Sequence, residues 1–200
     1  MKLTKLKWAG ALLFMMLVII ATNFVDRHNF EKVQDSINSI YKDRLVVNDI
    51  IFEINLLLQE KELAILEQDE AFYGRRNKEI NTEINQLLED FKATKLVPVE
   101  ATTLNDLEQN LDQLYRLENK LGQAPQPYKE LQIKINTLET NLHSLAKIQL
   151  EEGRRQLFIG KKAIASVDLY TKMEVYILIF LALLLLVTLF YRPKKTKTTN

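Results

Sequence analysis

The side chains able to do chemistry in this chain are few and scattered. Its two histidines, His28 and His143, lie far apart and neither has a helical i, i+4 partner, so they supply no metal site and no paired base. Both read as surface or packing residues. Cysteine is absent, which removes a thiol nucleophile, a thiolate metal site and a disulfide framework. No nucleophile motif or glycine-rich phosphate loop occurs. The acidic run Glu60, Glu62, Glu67, Asp69 and Glu70 reads as a solvated face, partly paired with Lys61. The residues point away from an enzyme and imply no cofactor and no metal.

Two polar groups remain. Tyr73, Arg75 and Arg76 fall where a turn is expected, and guanidinium groups beside a phenol suit an anionic ligand. The plainer reading is three exposed turn residues. The second group is a structural polar layer. Arg44, beside Asp43, interrupts an apolar row near the start of the chain, and Glu151, Glu152, Arg154 and Arg155 interrupt another near its end. If the two helices start level, these residues share a height, because both rise about 1.5 Å per residue. The expected pairs are Arg44 with Glu152 or Glu151, and Asp43 with Arg154 or Arg155.

The elements that hold these residues are helices. Ile37, Ile40, Val47, Ile51, Ile54, Leu58 and Ile65 recur at steps of three and four, with only Arg44 and Lys61 breaking the row. No Pro or Gly lies between Val25 and Tyr73, and Gly74 suits a left-handed helix end. A second helix is expected from Arg75 to Lys95, with Ile80, Ile84, Leu87, Leu88 and Phe91 on one face, ended by Pro98. Thr102 or Thr103 can cap a third, whose row is Leu104, Leu107, Leu111, Leu114 and Leu121, with Leu117 beside it. Gly122 to Pro127 closes that helix and opens a fourth from Tyr128, carrying Leu131, Ile135, Leu138, Leu142 and Leu145.

Both ends of the chain read as membrane segments. Lys2, Lys5 and Lys7 precede an uncharged run of about 18 residues, 8–25. Ile20 to Asn23 is a poor cleavage site, so the run reads as a retained anchor and not as a signal peptide. A second uncharged run, 175–191, ends at the basic tail 192–200. Basic flanks stay in the cytoplasm, which puts residues 1–7 and 192–200 inside and 26–174 outside. The outer segment holds all 26 acidic residues and 20 of the 27 basic ones, a net charge of about −6, so the near-neutral total conceals an acidic domain with no footprint for nucleic acid.

The expected fold is all-α: an up-down-up-down four-helix bundle whose first and last helices continue into two transmembrane helices. That arrangement, with Tyr41-Lys42-Asp43-Arg44-Leu45 soon after the first apolar run, resembles the four-helix-bundle sensory domain of methyl-accepting chemotaxis receptors. The resemblance implies a two-pass protein of the bacterial inner membrane that senses an extracytoplasmic molecule, and it implies dimers. Receptors of that kind continue into a methylated cytoplasmic coiled coil that docks a kinase. This sequence stops nine residues after Tyr191, which leads to the expectation of a sensor acting through a membrane partner such as a full-length receptor. A homodimer is also expected from the residues, because 45–52 is apolar over more than one face. Two other readings stay open: a structural or assembly protein of the cell envelope, and a membrane enzyme with no residue to name.

Overall fold

The long first run of the sequence, free of Pro and Gly, forms helix in two stages. In the computed structural model, α1 spans Lys2–Ser39, a single π-helical turn covers Ile40–Leu45, and α2 spans Val46–Glu67. Then follow α3 (Arg76–Lys92), α4 (Pro98–Glu118) and α5 (Tyr128–Phe190). The structure describes residues 2–121 and 128–190, with side chains for 10, 13–121, 128–184, 186 and 187. It divides into two compact units, 36–157 and a second made of 1–35 with 158–200.

The π turn explains a departure from the expected row. A π turn holds one residue more than an α turn, so positions counted at α spacing slip by one across it. Ile37 accordingly faces outward and its neighbour Ser36 is buried, whereas Val47, Ile51, Ile54, Leu58 and Ile65 are all buried as the spacing predicts.

The helix ends also differ from expectation. α2 stops at Glu67, not near Gly74, because Gln68 takes the left-handed conformation (φ 54°, ψ 40°). Its N–H donates to the Ile65 carbonyl and that of Asp69 to the Ala64 carbonyl, the paired bonds of a Schellman cap. Asp69 then accepts from the amides of Ala71 and Phe72, turning the chain toward α3. α3 is shorter at both ends than the expected 75–95. Pro98 does more than break a helix, since it is the first residue of α4, where its fixed φ suits the helix and no amide donor is needed. Val97, extended at ψ 157°, is the cap, and Glu100 accepts its N–H at 3.1 Å. Thr102 and Thr103 lie inside α4 and donate to the carbonyls of Pro98 and Val99, so neither caps it. The expected turn at Gly122–Pro127 lies outside the described residues.

Side-chain bonds fix the topology. Glu62 accepts from Gln132 and Arg44 donates to Gln149, so α2 and α5 are antiparallel. Lys61 meets Asn77 while Arg44 meets the Lys95 carbonyl, so α3 descends beside α2. Arg44 with Glu100 and Lys61 with Glu118 fall in the same order along both chains, so α4 ascends parallel to α2. The result is an up-down-up-down four-helix bundle. Its core is Val47 to Ile65 of α2, Ile80 to Phe91 of α3, Leu104 to Leu114 of α4 and Leu131 to Leu145 of α5.

In the other unit, Asn29 and Ala163 are buried while Leu13, Phe14, Leu17, Phe24, Ile179, Phe180, Leu183 and Val187 are exposed. Among the described residues no helix is long and apolar enough to cross a membrane. The expected spans 8–25 and 175–191 fall partly outside those residues, as the side chains of 8, 9, 11, 12, 185 and 188–190 and all of residue 191 do.

Candidate functional site

The polar chemistry of the bundle is concentrated in two buried layers, one at each end of the apolar core. The lower one is built on the π turn, which carries Arg44 inward until it is 5% exposed. One guanidinium nitrogen donates to Glu100 Oε2 at 3.0 Å and to Gln149 Oε1 at 2.9 Å, and the other to the Lys95 carbonyl at 3.2 Å. Gln149 also donates to the second oxygen of Glu100. Glu100, wholly buried, therefore serves three helices at once: it caps α4, holds Arg44 and receives Gln149. Within this layer, Arg44 Nε lacks a partner among the described residues.

The upper layer is centred on Lys61, which is wholly buried. Its ammonium donates to Asn77 Oδ1 at 2.5 Å and to Glu118 Oε1 at 2.6 Å, and lies 5.6 Å from the Tyr115 ring centroid. Asn77 and Asn81 donate to the other oxygen of Glu118, at 3.0 and 3.2 Å. Burial pushes Lys61 below the usual lysine value, and the Glu118 carboxylate opposes that push. Burial likewise raises the Tyr73 and Tyr115 phenols, with Glu118 adding to both.

A buried polar layer does surround Arg44, but it is not built from the expected residues. Arg44 pairs with Glu100 and not with Glu151 or Glu152. Glu152 takes Arg155 from its own helix at 2.8 Å, on an exposed face. Asp43 accepts from Ser39 at 2.9 Å and from the Lys95 amide at 3.5 Å, and meets neither Arg154 nor Arg155. The acid that satisfies Arg44 comes from a third helix, α4, and not from the pair that shares its height. Lys61 is also corrected: its acid is Glu118, and the flanking Glu60 binds Arg76 through two bonds of 2.6 Å.

Sequence reasoning missed Glu100, Gln149, Asn77 and Glu118, and a signal for them was present. Glu100 and Glu118 lie in phase with Leu104, Leu107, Leu111 and Leu114, Glu100 one step before the row and Glu118 in its gap between Leu114 and Leu121. Gln149 extends the row of α5 past Leu145, and Asn77 precedes Ile80 in that of α3. Polar residues in phase with an apolar row point into the core as surely as the leucines do.

At the turn after α2, Tyr73, Arg75 and Arg76 are neighbours that do not converge on an open site. Arg75 pairs with Glu79 and Arg76 with Glu60 and Glu79. The bond from Arg76 holds the Glu60 carboxyl below its usual range. The Tyr73 hydroxyl is buried without a partner among the described residues. Two shallow grooves flank the bundle, one of about 250 Å³ between α2 and α5 that His143 helps line, and one of about 290 Å³ between α3 and α4. Among the described residues no cluster of potential ligands could hold a metal ion.

Residues 3–156 match a family described as a four helix bundle sensory module for signal transduction. No curated protein and no solved structure matches the chain. The match covers most of the chain and the bundle has the architecture the family requires, so the protein belongs to the four-helix-bundle sensory modules of chemotaxis-receptor type.

Proposed function

We propose that the protein is a two-pass sensor of a bacterial inner membrane. In this reading residues 8–25 and 175–191 span the bilayer, 26–174 lie outside, and the basic ends 1–7 and 192–200 lie in the cytoplasm. The observation that carries it is a sensory-module match over 3–156 in a chain whose first and last helices both lead into long uncharged runs. The outward apolar side chains of 13–24 and 175–187 support it, since such a surface suits lipid better than water. The signal passes to a membrane partner, either a second copy joined through the first helix or a full-length receptor. At the turn a ligand would have to draw Arg75 or Arg76 from its glutamates, since the Tyr73 hydroxyl is buried.

Reporter fusions at Asn200, with N-terminal sequencing of the mature chain, test the topology. Cytoplasmic reporter activity and a retained first segment are expected. An external C-terminus, or a chain beginning near Asn23, overturns the reading. One observation favours the second reading, an envelope assembly protein that uses its bundle for protein contact. The core is mostly Leu and Ile, closed at each end by paired charges, and the arginines that could have lined a ligand pocket are paired with acids.

A further inference from the structure

The π turn leaves the first helix with two rows that compete for the inside. At plain α spacing, Phe30, Val33, Ile37 and Ile40 continue the buried row of Val47 and Ile51 in steps of three, four and seven. The extra residue of the turn at Ile40–Leu45 sets that row aside. Within the bundle unit Ser36 is 3% exposed and Ile37 61%. Seven residues earlier, in the other unit, Asn29 is 7% exposed and Phe30 67%. Two small polar residues thus lie inside, and the large apolar neighbour of each lies outside.

If the turn gives up its extra residue to α spacing, every position below it moves by one, a rotation of about 100° with a shift of about 1.5 Å. Ile37 then takes the place of Ser36, and Phe30 that of Asn29. The exchange is not one-sided, because Gln34 takes the half-buried place of Val33. Two apolar groups gained against one lost leave the arrangements close in energy, the condition for a helix that passes between them. Above the turn nothing needs to move. Arg44 is held by Glu100, Gln149 and the Lys95 carbonyl, and Asp43 accepts from the Lys95 amide.

We propose that Ile40–Leu45 is a register switch. The turn exchanges between a π form, with Asn29 and Ser36 inside, and an α form, with Phe30 and Ile37 inside. The Arg44 layer stays in place while α1 turns about its own axis. A second copy lying along the outward face covers Phe30 and Ile37 and so holds the π form, and its departure releases the α form. The proposal rests on the sensor reading only for the use made of the rotation, since the exchange itself belongs to the single chain.

The chain lacks cysteine, so single cysteines report which residues turn outward. The full chain in detergent, carrying Ser36→Cys, Ile37→Cys or Val47→Cys, is treated with a water-soluble maleimide, and disulfides between copies are scored as outward too. Ile37→Cys should react fast, and Val47→Cys, wholly buried above the turn, only at the rate of ordinary local opening. Ser36→Cys should react at about 1–10% of the Ile37→Cys rate, as a minor form of that population allows, and well above Val47→Cys. Deleting Lys42, an exposed residue of the turn, makes the step from Ser36 to Arg44 seven and fixes the π-form facing at α spacing. Ser36→Cys should then fall to the Val47→Cys rate. Should the deletion fail to fold, two changes that leave the turn whole serve instead: Asn29→Leu should slow Ser36→Cys labelling and Asn29→Asp should hasten it. Ser36→Cys reacting no faster than Val47→Cys in the undeleted chain, or at a rate indifferent to all three changes, overturns the proposal. These readouts are independent of topology, so a failed reporter-fusion experiment would leave them interpretable.

Discussion

Arg44 shows how much one side chain can be asked to hold. Its guanidinium is removed from water and meets one carboxylate, one amide oxygen and one backbone carbonyl, all from elements distant in sequence. Taking away the cation alone leaves Glu100 charged, buried and half satisfied, whereas removing both charges leaves an apolar gap of ordinary cost. Arg44→Met should therefore cost about 3–5 kcal/mol of unfolding free energy, and Arg44→Met with Glu100→Gln clearly less than the two single changes summed. Chemical denaturation of the four proteins of that cycle checks this, and strict additivity would show that the pair is not coupled. Glu139 offers a test by pH. Burial, with Glu62 nearby, raises its carboxyl above the usual 4.5, so the folded state holds a proton that the unfolded state has released. The stability this contributes is complete below pH 4.5 and is lost as pH rises through the folded value. Glu139→Gln should accordingly be the more stable protein at neutral pH, with the advantage shrinking to nothing as the medium is acidified below 4.5. Paired thermal melts across that range give the comparison, and an advantage that grows on acidification would contradict it.

At the level of the helix, the apolar rows were legible because leucine and isoleucine at steps of three and four leave little choice of face. Ile80, Ile84, Leu88 and Phe91 are buried as expected, as are Leu131, Ile135, Leu138, Leu142 and Leu145. The ends were less legible, since a helix end depends on which of several weak signals prevails. At 68–74 a left-handed glutamine won over a glycine, and at 97–103 the fixed φ of Pro98 with the Glu100 cap won over two threonines. The π turn left no mark in the composition and showed itself through the outward displacement of Ile37. Gly153 is a helical residue whose added Cβ would meet nothing within 4 Å. Its only effect on the folded state is the backbone freedom it must give up. Gly153→Ala should raise stability by about 0.5–1 kcal/mol with no change of fold. A destabilised variant in the same melts would mean that something packs where open space now lies.

For the molecule as a whole, the partition of charge was legible in the sequence and the closure of the core was not. Counting placed the acids in 26–174 and the phase of the α4 row turns Glu100 and Glu118 inward, but no count along one helix could name their partners, which lie across the bundle on another helix. The two cations are 17 residues apart on one helix and the two acids 18 apart on its parallel neighbour, so a single alignment satisfies both pairs. The leucine row of α4 repeats, and leucine positions seven apart are interchangeable, so hydrophobic packing alone would accept α4 shifted by two turns. The charges reject that shift, because it would strand four ions in a dry interior.

This double anchorage also bears on how the sequence can drift. A leucine of the core can be exchanged for isoleucine or methionine at modest cost, one position at a time. Arg44 and Glu100 have no such freedom, nor do Lys61 and Glu118, since the first substitution of either pair passes through an intermediate with a lone buried charge. Change at these four positions must come in couples, 44 with 100 and 61 with 118, while the residues between them wander independently.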